Sequence, residues 1–450
     1  METVLLFIVG ILIVVVGLVV SIGLHEIGHL VPAKAFGVKV GQYMIGFGPT
    51  IWSKRRGETE YGFKAVPLGG YISMSGMFPP RKTLQVAEDA VESRARTATT
   101  SLFGTLTQDA RDASAETVEP GEEARTFYRL AVPKRIVIML GGPVMNLLIA
   151  TVLFGVVLCG FGTQQVSTTV GSVSECVLPA TSTATSCPAG ATKAPGALAG
   201  LRAGDKILSI GGRTISSWSD STSIIQKSSG KALAFVVERG GARVDLTITP
   251  IKTLRYVTDS RGSVVTDASG KKKTEEVGFV GMGAAYERVQ QPVSAVLPAV
   301  GANVSGVVTL IAHLPEKLVN VGQAVFGGGT RDASGPVSVV GVGIMAGQIA
   351  STNSVPLVDR MSYLVGLLAS LNIALFVFNL IPLMPLDGGH VAGAIIEGVR
   401  RFFARLFGRT DPGPIDIAKA LPLTLAVTVI LGGMSLLLIY ADLFKPISLG

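Results

Sequence analysis

The chain has 450 residues, of which 48% are hydrophobic and only 16% charged, where soluble proteins are about one-quarter charged. That balance excludes an ordinary soluble domain and leaves length for a membrane bundle with one or two small modules. The net charge of +8 would suit nucleic acid, but aromatics are only 6% and the basic residues sit beside apolar runs. Anionic lipid headgroups therefore account for the charge, and no nucleic-acid partner is expected.

Four segments are long and apolar enough to span a bilayer. Thr3 to Leu24 carries no charge and runs directly into His25. It lacks the basic region of a cleavable signal peptide, and charged residues follow it at once. Between it and the second span, 36–78 read as strands and tight turns, with Gly46-Phe47-Gly48-Pro49 and Gly69-Gly70-Tyr71-Ile72 as markers. Residues 79–124, rich in Ala, Thr, Glu and Arg, read as a partly helical, partly disordered insertion. The second span is Ile136 to Gly162, after Lys134 and Arg135.

Beyond it lies a compact module combining helix and strand. Gly204-Asp205-Lys206-Ile207-Leu208-Ser209-Ile210-Gly211-Gly212 reads as a turn feeding a strand, and a hairpin closes around Gly240-Gly241. Cys176 and Cys187 fall in this part and can pair if it faces an oxidising compartment. Cys159 reads as a small core residue. Residues 292–350, rich in Gly, Val and Ala, suit amphipathic helices on a membrane surface. The third span, Met361 to Leu386, ends in a proline-rich bend, and Ala420 to Tyr440 forms the fourth.

Lysine and arginine near the span ends set the orientation. Lys34, Lys39, Arg125, Arg129, Lys134 and Arg135 lie between the first two spans, and Arg400, Arg401, Arg405 and Arg409 between the last two. Both termini are therefore expected outside, as is the long segment from about 163 to 360. The expected class is a polytopic α-helical membrane protein with four transmembrane helices, a membrane-associated β-hairpin region on the cytoplasmic side and one extracytoplasmic α+β domain. Its parts are the first helix over 1–35, the hairpin region over 36–78, the insertion over 79–130 and the second helix over 131–162. The outer domain over 163–290, a membrane-surface segment over 291–360, the third helix over 361–398, and a basic loop with the fourth helix over 399–450 follow.

The chemistry centres on His25-Glu26-Ile27-Gly28-His29, an H-E-x-x-H pattern. Residues four apart share a helix face, so both imidazoles reach one ion, and Glu26 beside them can take a proton from the attacking water. Titratable groups on an apolar span cost about 2.5–3.5 kcal/mol each at mid-bilayer, so a mere interfacial anchor explains this trio poorly. Catalytic zinc needs a third protein ligand and an open position. His313 falls on the wrong side of the membrane, which leaves Asp387 and His390 in Asn379-Leu380-Ile381-Pro382-Leu383-Met384-Pro385-Leu386-Asp387-Gly388-Gly389-His390. The prolines break the helix, and the paired glycines permit close backbone approach.

An apolar span ending in H-E-x-x-H, with a late span carrying N-x-x-P-x-x-x-x-D-G, resembles the site-2 protease family of intramembrane zinc metalloproteases. The similarity to its bacterial branch, which regulates sigma factors, covers nearly the whole chain. It includes Gly142-Pro143-Val144-Met145-Asn146, a PDZ-like outer module and Ser334-Gly335-Pro336-Val337-Ser338. The resemblance implies one zinc ion held by His25, His29 and Asp387, rather than His390, with Glu26 as general base. It also implies that Asn379 helps hold substrate, that Asn146 helps shape the site, and that residues 61–75 pair with an unwound substrate. The implied reaction is endopeptidase cleavage of single-span membrane proteins, anti-sigma factors or signal-peptide remnants, after a first cut by a site-1 protease. The implied place is the bacterial plasma membrane. Two features depart from the family pattern: a single PDZ-like unit where some relatives carry two, and the 79–124 insertion. A non-catalytic scaffold has no need of Glu26, and a metal transporter would place ligands on broken helices in repeated halves, which this sequence lacks.

Overall fold

The computed structural model describes residues 1–79, 114–178, 182, 186–257, 264–265, 272–328, 331–332, 335–415 and 420–446. Most of the expected insertion, 80–113, lies outside the described residues. The chain forms two compact units, one of Met1–Phe161 with Pro292–Gly450 and one of Gly162–Gln291.

The first unit is helical, with one hairpin. Its first helix, α1, runs over Glu2–Ala35, where an unbroken apolar sequence meets no proline until Pro32 in the last turns. Strands β1 (Val40–Arg56) and β2 (Thr59–Met74) pair antiparallel, from Val40 opposite Met74 to Arg56 opposite Thr59. Tyr43 fixes this hairpin to α1 by donating its hydroxyl to the Gly23 carbonyl at 2.8 Å. Far along the hairpin, Phe47, Ile51, Trp52, Phe63 and Val66 are exposed, as suits a strand pair lying against lipid. Helix α2 (Val132–Gly155) continues as a π-helical turn over Val156–Phe161 that contains the free, half-buried Cys159.

The second unit is built on a sheet. Its strands are β3 (Thr163–Val173), β4 (Lys206–Ile210), β5 (Arg213–Thr214), β6 (Leu233–Arg239), β7 (Ala242–Ile248), β8 (Ile251–Tyr256), β9 (Thr274–Phe279) and β10 (Met282–Val289). The main sheet has the order β10-β3-β4-β6-β7 with β5 on β4, and β8 pairs with β9 alone. Two short helices, α3 (Pro195–Leu198) and α4 (Trp218–Lys227), complete the unit. A reciprocal cap starts α4, in which Ser217 accepts from the Asp220 amide and the Asp220 carboxylate accepts from the Ser217 amide. Inward residues of the strands, Val170, Ile207, Ile210, Phe235, Val237 and Ile248, fill the core, with an irregularity between Ile207 and Ser209 that lets both Ile207 and Ile210 face inward. Cys176 and Cys187 are joined as a disulfide.

The chain then returns to the helical unit through α5 (Val296–Ala312), α6 (Leu314–Phe326), α7 (Val339–Ser351), α8 (Leu357–Asn379), α9 (Asp387–Leu406) and α10 (Leu421–Phe444). Among the described residues five helices are long and apolar enough to cross a membrane: Glu2–Ala35, Val132–Phe161, Val293–Ala312, Leu357–Asn379 and Pro422–Phe444. The sequence leads to an expectation of four, with 291–360 on the membrane surface. Gly301, Asn303, Ser305 and Gly306 dilute the apolar run over 293–312. The third span is also shorter than expected. With Pro382 and Pro385 following, the helix stops at Asn379 and a new one begins at Asp387.

Candidate metal centre and active site

His25 and His29 stand one turn apart on α1, and Asp387 is the first residue of α9. The Nε2 atoms of the two histidines are 3.2 Å apart. Each lies 3.3 Å from Asp387 Oδ2. Zinc bonds of about 2.0–2.2 Å at tetrahedral angles separate ligand atoms by roughly 3.3–3.5 Å, so the three atoms fit one ion. The carboxylate supports the same reading. Asp387 Oδ2 is buried and has no hydrogen-bond partner, a costly state for an anionic oxygen unless a cation completes it. Among the described residues this trio is the one His/Cys/Asp/Glu group whose ligand atoms converge in this way.

Local sequence explains how the three elements come so close. Gly28, inside the motif, meets Gly141 of α2, and a Cβ on Gly141 would stand 1.9 Å from the Gly28 carbonyl oxygen. Small residues permit this close helix crossing. One residue on, a Cβ at Gly142 would lie 2.2 Å from His29 Nε2 and 2.7 Å from His25 Nε2, inside the space a metal needs. At the other wall, a Cβ on Gly388 would lie 2.3 Å from the Ile381 carbonyl oxygen, so the start of α9 folds back on the proline turn only because that position is bare. Farther along α9, Glu397 takes Arg135 of α2 as a buried ion partner and accepts from the Ile415 amide at 3.0 Å. That pairing fixes the helix that carries Asp387.

The remaining site candidates differ in placement. Glu26 is buried on α1 between the histidines, and β2 passes over it: a Cβ on Gly70 would come 3.0 Å from Glu26 Cγ. Asn146 is fully buried on α2, its amide nitrogen 3.1 Å from His25 Nδ1. Asn379 ends α8, before the turn that leads to Asp387, and takes no part in the hydrogen bonds joining the trio to α2. His390 is buried one turn after Asp387 with Nδ1 unpartnered, outside the converging group. His313 caps the end of α5, exposed, its Nδ1 2.9 Å from the Thr309 carbonyl oxygen.

Sequence reasoning missed several contributors. The Ile138 carbonyl oxygen, 2.7 Å from His29 Nδ1, is a backbone group with no residue signature. Arg135, read as a membrane-flanking charge, is buried against Glu397. Gly28 and Gly141 did carry a signal, because glycine inside an apolar helix needs a packing reason.

Comparison with known proteins agrees with this geometry. The model of peptidase family M50 matches residues 13–408. The chain belongs to that family. It is 33% identical to the zinc metalloprotease Rip1 of Mycobacterium tuberculosis strain H37Rv over 460 residues, covering 99% of this chain and all of the relative. Rip1 of Mycolicibacterium smegmatis is 30% identical with the same coverage. The metalloprotease MmpA of Caulobacter vibrioides is 27% identical over 87% of this chain and 88% of its own length. The chain is thus a metalloprotease with several apolar helices, a multi-pass membrane enzyme.

Proposed function

We infer that this chain is an intramembrane zinc endopeptidase that cleaves the transmembrane segments of single-span proteins. The observation that carries the reading is the convergence of His25 Nε2, His29 Nε2 and Asp387 Oδ2 within 4.8 Å, beside a buried glutamate. These three would hold zinc, which when bound supplies a Lewis acid for the scissile carbonyl and for water. Glu26 accepts the proton from the attacking water at its carboxylate and delivers it to the departing amide nitrogen. Asn379 orients the substrate chain. The exposed edges of the β1–β2 hairpin offer backbone partners to a substrate helix that must unwind before its peptide bonds can be reached. A scaffold reading leaves the unpartnered Asp387 oxygen unexplained.

The site also constrains topology. Asp387 follows the C-terminal end of α8 and meets the C-terminal part of α1, so α1 and α8 run in the same direction, opposite to α2. An even number of crossings must then separate α2 from α8. Among the described residues Val293–Ala312, one of the five candidates, has no second long apolar helix to return with before Leu357. This supports four crossings, with both termini and residues 163–290 outside the cytoplasm and the site near the cytoplasmic face of a bacterial plasma membrane. The outer unit reads as PDZ-like and would bind extended chain ends by strand addition. Membrane-tethered anti-sigma factors, first shortened by a site-1 protease, are the proposed substrates, and anionic lipids the surrounding partners.

The test is Glu26→Gln, purified in detergent and assayed on a single-span substrate. Zinc content should match wild type while turnover falls by about 10²–10⁴-fold, the scale of a lost general base. Wild-type cleavage would remove Glu26 from that role. In cells, Glu26→Ala should cause particular single-span proteins to accumulate or co-purify, which identifies the substrate.

A further inference from the structure

We propose that the side-chain amide of Asn146 is a positioning group that, with its oxygen toward the ring, keeps the His25 proton on Nδ1 and leaves Nε2 free to hold the metal. This rests on the zinc-protease reading and adds a residue-level device to it.

The two histidines are held differently from outside the trio. His29 Nδ1 lies 2.7 Å from the Ile138 carbonyl oxygen. A carbonyl only accepts, so in the neutral ring Nδ1 keeps its proton and Nε2 presents a lone pair. His25 Nδ1 instead faces the Asn146 amide, its nitrogen 3.1 Å away. An amide offers a donor and an acceptor of nearly equal size, exchanged by a half-turn of its last torsion. With nitrogen toward the ring, Nδ1 has to accept, which puts the proton of a neutral ring on Nε2 and leaves no lone pair there for a cation. With Oδ1 toward the ring, Nδ1 donates and Nε2 becomes free to bind a cation.

The surroundings allow the turn. Asn146 is fully buried, and its Oδ1 has no partner that would hold the amide in one sense. Ile138, Gly142 and Asn146 are spaced by four and share one face of α2, so a single helix serves both imidazoles. Ile138 fixes one, Gly142 leaves room, and Asn146 adapts to the other. Metal-bound histidines characteristically donate from their second nitrogen, and losing that acceptor weakens binding.

The measurement is zinc affinity by chelator competition, on full-length protein in detergent, for wild type, Asn146→Leu and Asn146→Asp. Asn146→Leu keeps the branched shape but accepts nothing, and should bind zinc about 10–100-fold more weakly. Asn146→Asp can only accept, and should return affinity to within about threefold of wild type. If Asn146→Asp does not fold, Asn146→Ser supplies the acceptor in its place. Equal weakening in the Leu and acceptor variants would mean that Asn146 acts by packing, and overturns the proposal. Asn146→Leu at wild-type affinity sinks this inference alone, whereas a wild-type chain that binds no zinc sinks the protease reading beneath it.

Discussion

Two aspartates of the helical unit stand in opposite surroundings, Asp442 buried whole and Asp387 half-buried with one enclosed oxygen. Asp442, near the end of α10, accepts from the Ser338 amide and the Ser338 hydroxyl at 2.6 Å each and is paired with Arg331. Arg331 in turn donates to the Pro336 carbonyl at 2.9 Å, and Gly341 is bare because a Cβ there would lie 2.2 Å from Asp442 Oδ2. Every part of that acid's charge is answered within the chain, and the result is a clamp between α10 and the start of α7. Asp387 has the reverse setting, with an oxygen buried beside two imidazoles and no hydrogen donor assigned to it. A buried acid whose partners are complete maintains the fold; one whose partners are missing marks where a cation belongs.

Breaking each acid should therefore break a different property. Asp387→Ala should lose most of its zinc and all cleavage, a larger loss than the roughly 10–100-fold in affinity that removing a ligand's hydrogen-bond partner produces. His390→Ala and His313→Ala, purified alongside, should keep both metal and activity. Retention of zinc in Asp387→Ala together with its loss in His390→Ala would reverse the ligand assignment.

Asp442→Ala leaves the Arg331 guanidinium buried and unpaired, which typically costs about 3–5 kcal/mol. Thermal or denaturant unfolding of the detergent-solubilised chain should show that loss, while zinc stoichiometry of the folded fraction stays at wild type. Replacing both members, Asp442→Leu with Arg331→Met, should recover much of the stability, because apolar substitutes avoid desolvating two charges. If Asp442→Ala unfolds no earlier than wild type but loses its metal, the distinction between the two acids fails.

The sequence made one of these regions far more legible than the other. H-E-x-x-H is a local pattern, since four-residue spacing alone puts both imidazoles on one face. Elimination left both Asp387 and His390, in a stretch whose prolines and glycines signalled a broken helix, and only the family resemblance chose Asp387 between them. The clamp could not be read, because Arg331 and Asp442 look unremarkable apart, Ser338 stood out only as the end of Ser334-Gly335-Pro336-Val337-Ser338, and their pairing is set by packing more than a hundred residues away in sequence. The Arg135–Glu397 pair, 262 residues apart, was hidden for the same reason. Helix Val293–Ala312 was expected as a surface helix, and its glycines and small polar residues keep its apolar signal below that of the other four candidates.

The smallest expected effect lies in the other unit, where Asp205 offers a third kind of buried acid. Its carboxylate accepts from Arg239 Nε and Nη2 at 2.7 Å each and from the Arg202 amide at 2.8 Å. The Arg239 hydrogen bonds are the largest influence holding its pKa below the ordinary aspartate value, against the opposing effect of burial. A carboxyl depressed in the folded state contributes stability that is complete above its unfolded pKa of about 3.9. That contribution is lost as pH falls through the lower, folded value. Hydrogen exchange of the full-length chain should show protection in β4 and β6 unchanged from pH 7 to about 5, then falling below about pH 4. Arg239→Leu removes the main cause of the depression, so its protection should start lower at neutral pH, by up to about fivefold for a partly exposed pair. It should also decline less steeply in acid. A variant as acid-sensitive as wild type would show that Asp205 is held down by the Arg202 amide instead, and would place it beside Asp442, as an acid whose backbone donors matter more than its guanidinium.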